Sequence, residues 1–306
     1  MGIETRRFAE PLDDVARPAS FEARNARAVR HVTELGEQAA RRALDAAGLD
    51  ASEIATLITV HATGLAVPGL DVHLANALKL PSTVLRIPMT QLACAGGAQA
   101  LGMAARLASP GRPVLVAGAE QLTSSWQPGD SSMDSLIFKM LFGDGGAAAV
   151  VSAEPLAQPG LVIEDSWTYL HRDSTHYYKL RADKSGYHFV SEKEARSAVS
   201  HILPELPWPG WTADYAVIHP GGARILDLIA KHGICSEETL CHSRASMRIS
   251  GNTGGTAVLR VLDRLHDDPP PQGAGAQGLL FGVGPGFCAA ASRTRWMAEM
   301  QPLSAV

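Results

Sequence analysis

The sequence predicts an α/β fold made of two similar halves. In the first half, short apolar runs alternate with helix-forming runs in the order strand, helix, strand, helix, strand. That order is typical of a mostly parallel sheet covered by helices on both faces. The second half repeats the plan more loosely, and each half closes with a glycine loop between strands. A change of composition near Glu154 and Pro155 predicts the boundary, which gives domains 1–153 and 154–306.

The elements of the first half follow from their patterns. Residues 1–22 have no regular period, whereas the alanine-rich run from Phe21 to Ala47 places its apolar residues on one helical face. The other predicted helices of this half are 70–78, 98–108 and 131–141, and the predicted strands are 54–61, 83–88, 113–119 and 147–152. We expect the strand at 83–88 to be buried because its run is apolar.

The elements of the second half are predicted to be less regular. Proline and tryptophan mark a loop at 204–211, and a run of prolines marks a surface loop at 267–275. The predicted strands are 161–165, 215–219, 278–283 and 287–292, the last two forming a hairpin, and the predicted helices are 191–203, 223–232 and 253–266.

Composition limits the classes of function. Charged residues are 19% of the 306 and the formal charge is −4, so no nucleic-acid partner is indicated. No apolar run reaches the roughly 18 residues of a membrane span, and the N-terminus has no signal-peptide core. The 4 cysteines include no C-x-x-C pair and the 11 histidines no H-E-x-x-H. We therefore expect a cytoplasmic protein with free thiols, no metal site and no membrane partner.

Cys94 is the first candidate for chemistry. It follows the apolar run 83–88 and precedes the helix-forming run 98–108, so we expect it at a strand-to-helix corner. Free N–H groups and the helix dipole at such a corner favour a thiolate. The small neighbours Ala93, Ala95 and Gly96 are expected to leave the sulfur uncovered. The alternative is an ordinary buried cysteine.

Two further stretches complete a candidate site. His219 ends a predicted strand, which is where α/β folds place functional groups, and Pro-Gly-Gly follows it. Asn252 lies in Ser-Gly-Asn-Thr-Gly-Gly-Thr, a run that also makes a good helix N-cap and turn. A thiolate, an imidazole and an amide together can attack a thioester and hold the developing oxyanion. Papain-like proteases use the same residue types in the same order, but their signature around the cysteine is absent.

In these stretches the chain resembles the type III polyketide synthases, the chalcone-synthase-like branch of the thiolase superfamily, and above all their bacterial members. The resemblance extends from about Arg6 to Trp296. The matching stretches, in family order, are 61–71, 94–97, 141–145, 219–222, 251–252 and 282–286.

The resemblance implies a thiolase-like αβαβα fold with mixed, five-stranded sheets, and a homodimer that uses acyl-CoA and malonyl-CoA without a cofactor. The implied reaction is a decarboxylative Claisen condensation, with cyclisation of the product. Cys94 would carry the acyl group, while His219 and Asn252 assist decarboxylation and stabilise the enolate. Phe142 would gate the pocket, and Val67 would enter the partner subunit's cavity. The residues implied to shape the pocket are Thr63, Ser125, Thr253, Gly284, Pro285 and Gly286.

The chain also departs from the family in two places. The family's N-terminal segment, with a first strand, a helix and basic residues near the CoA phosphates, has no counterpart before Arg6. We expect a central strand of the first half to be missing, which would leave a sheet edge open. Arg224, with Gly221 and Gly222, is expected to contact CoA instead. The run Asn252-Thr253-Gly254-Gly255 replaces a bulkier residue and two serines, which implies extra room behind the amide.

Other functions remain open at this point. A ketoacyl-synthase-III-like condensing enzyme or an acyltransferase would use the same cysteine, with a carrier protein in place of CoA. A non-catalytic subunit that stabilises a related partner is a further alternative. The glycine pairs at 143–145 and 282–284 do not fit the G-x-G-x-x-G pattern of a nucleotide site.

Overall fold

Two mixed sheets and their covering helices organise the protein. The computed structural model describes residues 2–156 and 158–297, and within these ranges it contains two four-stranded sheets and one two-stranded hairpin. The first half contributes α1 (Leu12–Val15), α2 (Phe21–Ala47), β1 (Thr56–Val60), α3 (Leu70–Leu78), β2 (Leu85–Met89), α4 (Gly96–Leu107), β3 (Val114–Glu120), α5 (Met133–Leu141) and β4 (Gly145–Val151). The second half contributes β5 (Gly160–Leu170), β6 (Tyr178–Asp183), β7 (Gly186–Ser191), α6 (Ala198–Ile202), β8 (Tyr215–Ile218), α7 (Ala223–His232), α8 (Cys241–Ser250), α9 (Ala257–Asp267), β9 (Gln277–Gly284) and β10 (Cys288–Met297).

The first sheet has the order β2-β1-β3-β4, in which only β4 is antiparallel to its neighbour. Every residue of β1 and β3 is buried. Their sequences are continuous apolar runs because central strands of such a sheet are covered on both faces. On one face α2 and α3 pack through a cluster that includes Leu44, Leu57 and Leu74.

The second sheet has the order β5-β10-β9-β8, with β8 and β9 parallel and the other pairs antiparallel. Leu101 of α4, Leu259 of α9 and Leu280 of β9 share one apolar cluster with Ile58 of the first sheet. Helices α4 and α9 therefore lie between the two sheets. The outer face of the second sheet is covered by α7 and α8, as the cluster around Phe281 indicates. The layers run α, β, α, β, α, and the αβαβα expectation is confirmed.

The helices with strong local signals form where the sequence places them. The predicted helices 21–47, 70–78 and 223–232 have the observed bounds of α2, α3 and α7. For α2 the cause is local: the Ser20 side chain accepts from the Ala23 N–H at 3.1 Å, and Gly48 ends the helix at φ 66°. No helix in the described ranges is long and apolar enough to cross a membrane.

The expectations for β2 and for the sheet size are corrected. β2 is an edge strand rather than a buried one, and Leu85 is 50% exposed. Each large sheet has four strands within the described residues. Five were expected in the second half, whereas the first half was expected to lack its first strand, so only the second sheet differs from expectation in its number of strands. Because β1 pairs directly with both β2 and β3, and β3 with β4, the sheet has no empty central position. The expected loss of a central strand is therefore wrong.

Residues 178–203 and α8 also differ from expectation. The predicted helix 191–203 begins with the last residue of β7 and keeps only a short turn at Lys193–Arg196 before α6. The hairpin of β6 and β7 was not predicted, because its charged turn and alternating polar residues resemble a loop. Helix α8 was not predicted either, since its serines and arginines interrupt the apolar stripe.

Candidate active site

Cys94 lies at the strand-to-helix corner that the sequence predicts. It follows β2 and belongs to the turn Ala93–Ala95, which runs directly into α4. The preceding residue, Ala93, has φ 44°, a left-handed conformation that a residue with a side chain rarely adopts. Such local strain persists only where the surroundings enforce it. The surroundings here are two glycine-rich segments packed against the turn.

The first of these segments contains Gly254 and Gly255. A Cβ atom on Gly97 would lie 2.3 Å from the Gly255 carbonyl oxygen, and one on Gly255 would lie 2.8 Å from the Ala93 oxygen. Neither position has room for a side chain. The small residues around Cys94 therefore allow two backbones to meet, which is a different reason from the expected uncovering of the sulfur.

Asn252 points its amide at the sulfur. It follows α8, after Gly251 at φ 66°. Its Nδ2 lies 3.9 Å from Cys94 Sγ and donates to the Gly221 carbonyl oxygen at 3.4 Å, while its Oδ1 accepts from the Gly254 N–H at 2.8 Å. Because the oxygen is already engaged, the donor end of the amide is the one that faces Cys94.

His219 sits at the end of β8, where its own N–H bonds to the Phe281 carbonyl at 2.8 Å. The side chain is 1% exposed, and neither ring nitrogen has a hydrogen-bond partner in the part of the chain described. A Cβ on Gly221 would lie 3.1 Å from His219 Nε2, so the imidazole borders the segment to which Asn252 donates. Buried polar atoms without a partner are uncommon, and here they are free to meet a ligand.

Burial sets the resting charges of these groups. It raises the pKa of the Cys94 thiol to about 12, against the opposing bond from Asn252, and Glu120 and Cys288 raise it further. Burial also lowers the pKa of His219 to about 3. These shifts favour a neutral thiol and a neutral imidazole in the resting site. Desolvation therefore opposes the thiolate that the helix N-terminus was expected to favour.

Phe142 is joined to Asn252 through the backbone. The Asn252 N–H donates to the Leu141 carbonyl at 2.9 Å, and the Gly143 N–H donates to the Asn252 carbonyl at 3.0 Å. The Phe142 ring is buried, with its centroid 4.4 Å from that of Phe138. The backbones of Phe142 and Asn252 therefore occupy fixed positions relative to each other.

Thr63 is buried and bonded to a carboxylate. Its hydroxyl donates to Glu120 Oε2 at 2.7 Å, and the Ala62 and Thr63 N–H groups also donate to this carboxylate, at 3.0 and 3.1 Å. Burial raises the pKa of Glu120 to about 7, although these bonds and one from the Gly255 backbone oppose the rise. Glu120 also acts electrostatically on Cys94, so Thr63 and Glu120 belong to the surroundings of the sulfur.

The turn Gly284-Pro285-Gly286 packs against the other side of the Cys94 corner. A Cβ on Gly284 would lie 2.8 Å from the Ala95 nitrogen, and one on Gly282 would lie 3.5 Å from the Cys94 carbonyl oxygen. The Cys288 thiol bonds to the Pro285 carbonyl at 3.2 Å. The Gly284 end of the turn thus packs directly against the backbone of the Cys94 corner.

Comparison with known proteins adds family relationships to this geometry. The family described as "Chalcone and stilbene synthases, N-terminal domain" matches residues 11–155. Phloroglucinol synthase of Pseudomonas fluorescens is 31% identical over 97% of this chain and 87% of that protein. The crystal structure of 1,3,6,8-tetrahydroxynaphthalene synthase from Streptomyces coelicolor, a bacterial type III polyketide synthase, has a TM-score of 0.91. It is 32% identical, and the alignment covers 97% of this chain and 87% of that one.

The chain belongs to the type III polyketide synthases.

Germicidin synthase of Streptomyces coelicolor, another type III polyketide synthase, is 33% identical with a TM-score of 0.87 over 97% of this chain and 88% of that one. These relatives confirm the family that the motifs indicated. They also confirm an acyltransferase that forms polyketides by condensing malonyl-CoA, rather than a ketoacyl-synthase-III-like enzyme.

The remaining candidate residues of this type III polyketide synthase are spread more widely. Thr253 is buried and follows Asn252, with its Oγ1 accepting from the Thr256 hydroxyl at 3.2 Å. Ser125 lines a separate small cavity beside Phe138. Gly222 precedes α7, and Arg224 is exposed on its first turn. Val67 is fully exposed on the surface.

Sequence reasoning missed Glu120, Phe189 and Cys288. A signal existed for Glu120, since it is the one acidic residue at the end of the apolar run 113–120, where parallel sheets place functional groups. Phe189 belongs to the hairpin that was not predicted, and its ring centroid lies 6.0 Å from that of Phe142. Among the described residues no group of three or more histidine, cysteine or acidic side chains is arranged to hold a metal ion.

Proposed function

We propose that this protein joins malonyl-CoA units by decarboxylative Claisen condensation onto an acyl group carried by Cys94. One observation carries the proposal: the Asn252 amide faces both Cys94 Sγ and the Gly221 segment, while both buried nitrogens of His219 lack a partner. A nucleophile and two donors able to bind an oxyanion are the groups that this reaction requires.

The first step is loading of the cysteine. Burial penalises a lone thiolate and a lone imidazolium, but transfer of the Cys94 proton to His219 creates both together with no change of net charge. The sulfur then attacks the acyl-CoA carbonyl, the new C–S bond forms, and the bond to CoA breaks. The proton returns from the imidazolium to the departing CoA thiolate, which leaves His219 neutral again.

The second step is condensation. Malonyl-CoA loses CO2, and the electron pair of the broken C–C bond forms an enolate whose oxygen is held by His219 and Asn252. The enolate carbon attacks the Cys94 thioester, and the bond between the acyl carbon and the sulfur breaks. The released thiolate takes up a proton from solvent, which replaces the proton that left with CoA in the first step. A single oxyanion donor of this kind contributes roughly 3 kcal/mol of transition-state stabilisation. Phe142 and the turn 284–286 bound the space into which the chain grows, and Arg224 with Gly221 and Gly222 contacts the CoA moiety.

We further propose a homodimer in the cytoplasm. The outer edge of β2 is open, and the fully exposed Val67 is apolar, so both features suit burial by a second copy. All 4 cysteines are free thiols, which suits a reducing compartment. The two halves, 1–153 and 154–306, would then supply the nucleophile and the two donors respectively.

The deciding experiment incubates the protein with malonyl-CoA, alone and with a panel of acyl-CoAs, and weighs both enzyme and products. We expect an acyl adduct on Cys94 and products with more than one malonyl-derived unit. Cys94→Ala should lose adduct and product, and Asn252→Ala should keep the adduct but lose roughly a hundredfold or more in condensation rate. Cys241→Ala, at an exposed thiol, is the control. Full condensing activity in Cys94→Ala would exclude the mechanism.

A further inference from the structure

Ser174 is a buried polar residue that the proposed reaction does not use. It lies in the loop 171–177 between β5 and β6 and is 0% exposed. Its hydroxyl donates to the His171 carbonyl at 2.6 Å and accepts from the Phe287 N–H. A hydroxyl with both roles filled has one fixed orientation.

The same loop holds both backbone polar groups of Phe287. The Phe287 N–H donates to Ser174 Oγ, and the His171 N–H donates to the Phe287 carbonyl at 2.8 Å. The Phe287 ring is buried, with centroids of Tyr178 and Tyr177 at 5.6 and 6.2 Å. Residues 171–174 therefore hold Phe287 through both its N–H and its carbonyl, and we call this pair of hydrogen bonds the Phe287 clamp.

Phe287 is also the residue that directly follows the turn 284–286. At its other end the turn is fixed against the Cys94 corner, because the Gly284 backbone reaches the Ala95 nitrogen with no room for a side chain. Cys288, paired with Gly284 across the hairpin, adds a thiol that bonds to the Pro285 carbonyl. The turn 284–286 thus has one attachment at the Cys94 corner and a second at Phe287.

We propose that Ser174 is a positioning residue that fixes the turn 284–286 and so decides the shape of the space beside Cys94 in which the growing chain folds. The proposal rests on the proposed function, since it assigns to Ser174 control over which product leaves the site. It assigns no part in loading Cys94 or in decarboxylation, because Ser174 contacts Phe287 and His171 rather than the sulfur.

The test compares Ser174→Ala with Ser292→Ala. Ser292 is a matched control: it is equally buried on β10, and its hydroxyl bonds at 3.0 Å to Ser166, away from the clamp. In Ser174→Ala we expect amide exchange at Phe287 to rise roughly tenfold or more, because its acceptor is gone. We expect the ratio of products to change by roughly threefold or more, with acylation of Cys94 within about twofold of wild type. Ser292→Ala should keep the wild-type exchange at Phe287 and the wild-type products.

Two further variants keep the test decisive. Ser174→Thr retains the hydroxyl and should restore the wild-type product ratio, which a loss of stability alone would not explain. Ser174→Cys has nearly the same shape but a weak acceptor, so it replaces the alanine variant if that one does not fold. Unchanged exchange at Phe287, or an unchanged product ratio in the folded variant, would overturn the proposal. If wild-type protein formed no adduct on Cys94, the proposed function would fail, while amide exchange would still decide on the clamp.

Discussion

Glu120 shows how a single residue balances opposing forces. Its carboxylate is fully buried, which favours the protonated form, yet four donors on Ala62, Thr63 and Gly255 favour the charged form. The result is a pKa of about 7. A charge that appears there also acts on Cys94, whose pKa it raises.

The stability of the protein should therefore depend on pH through Glu120. The folded-state pKa is raised from 4.5 to about 7, so the unfolded chain releases this proton first as the pH rises. The stabilisation that Glu120 contributes is fully present below about pH 4.5 and is lost as the pH rises to about 7. The free energy of unfolding should fall by up to about 3 kcal/mol over this range, relative to Glu120→Gln. Urea unfolding at about pH 5 and about pH 8 measures the difference. The exposed Glu22→Gln is the control, and a constant difference across this range would contradict the prediction.

The positions of the candidate catalytic residues were predictable, but the effect of burial on their pKa values was not. Cys94, His219 and Asn252 each follow a strand or a turn with small neighbours, and these are local patterns that a sequence displays. The charge state depends on burial by distant segments, which local patterns do not reveal. The bond of Asn252 to the Gly221 carbonyl, and the clamp at Ser174, likewise join residues far apart in the chain.

At the scale of elements, the start of α4 and the segment 253–255 act as one packed unit. Gly97 lies in the first turn of α4, with the Gly255 oxygen and Val258 Cγ1 both too close to admit a methyl group. The contact on the Gly255 side is backbone, which cannot rotate out of the way. The Cys-Ala-Gly-Gly motif is thus a packing requirement of the corner that holds the sulfur.

Gly97→Ala should separate these elements. We expect a loss of about 1–3 kcal/mol in the free energy of unfolding from overpacking, together with loss of condensing activity. Thermal unfolding and product formation measure the two effects. Gly129→Ala is the control, because a Cβ there meets no atom within 4 Å. A Gly97→Ala protein with wild-type stability would show that the corner is looser than the structure indicates.

Elements with local signals were predicted well, and those held by distant contacts were not. Helices α2, α3 and α7 end at left-handed residues and match their predicted bounds. The hairpin of β6 and β7 has no such signal and is held from outside, for example by Arg24, which bonds to the carbonyls of Ser124 and Ser185. Its position depends on the tertiary structure, so sequence periodicity did not detect it.

At the scale of the whole molecule, the apolar strand β2 lies on the edge of its sheet. An apolar run predicts burial, and within one chain that prediction was wrong. In the proposed homodimer, a second copy would bury this edge. The sequence thus predicted the layers of the fold through family motifs. Which strand lies at the edge of a sheet depends on how the strands pair, and no single apolar run determines that pairing.

Val67→Asp should weaken the proposed dimer. A charge at this fully exposed apolar position would have to be buried on association, which is unfavourable without a partner. Light scattering during gel filtration should show a dimer for wild type and a shift toward monomer for the variant. Leu180→Asp, at another exposed apolar residue, is the control. A monomeric wild-type protein would contradict the proposal.

The backbone bridge between Phe142 and Asn252 has a consequence for redesign of the product range. Because the backbone of Asn252 bonds to Leu141 and Gly143, on either side of Phe142, an insertion or deletion between Leu141 and Asp144 would move the carboxamide away from the sulfur. Gly143 is closed to replacement as well, since a Cβ there would lie 2.7 Å from the Ser250 oxygen. Libraries aimed at new products should therefore vary the side chain at 142 alone and leave the length of this segment untouched.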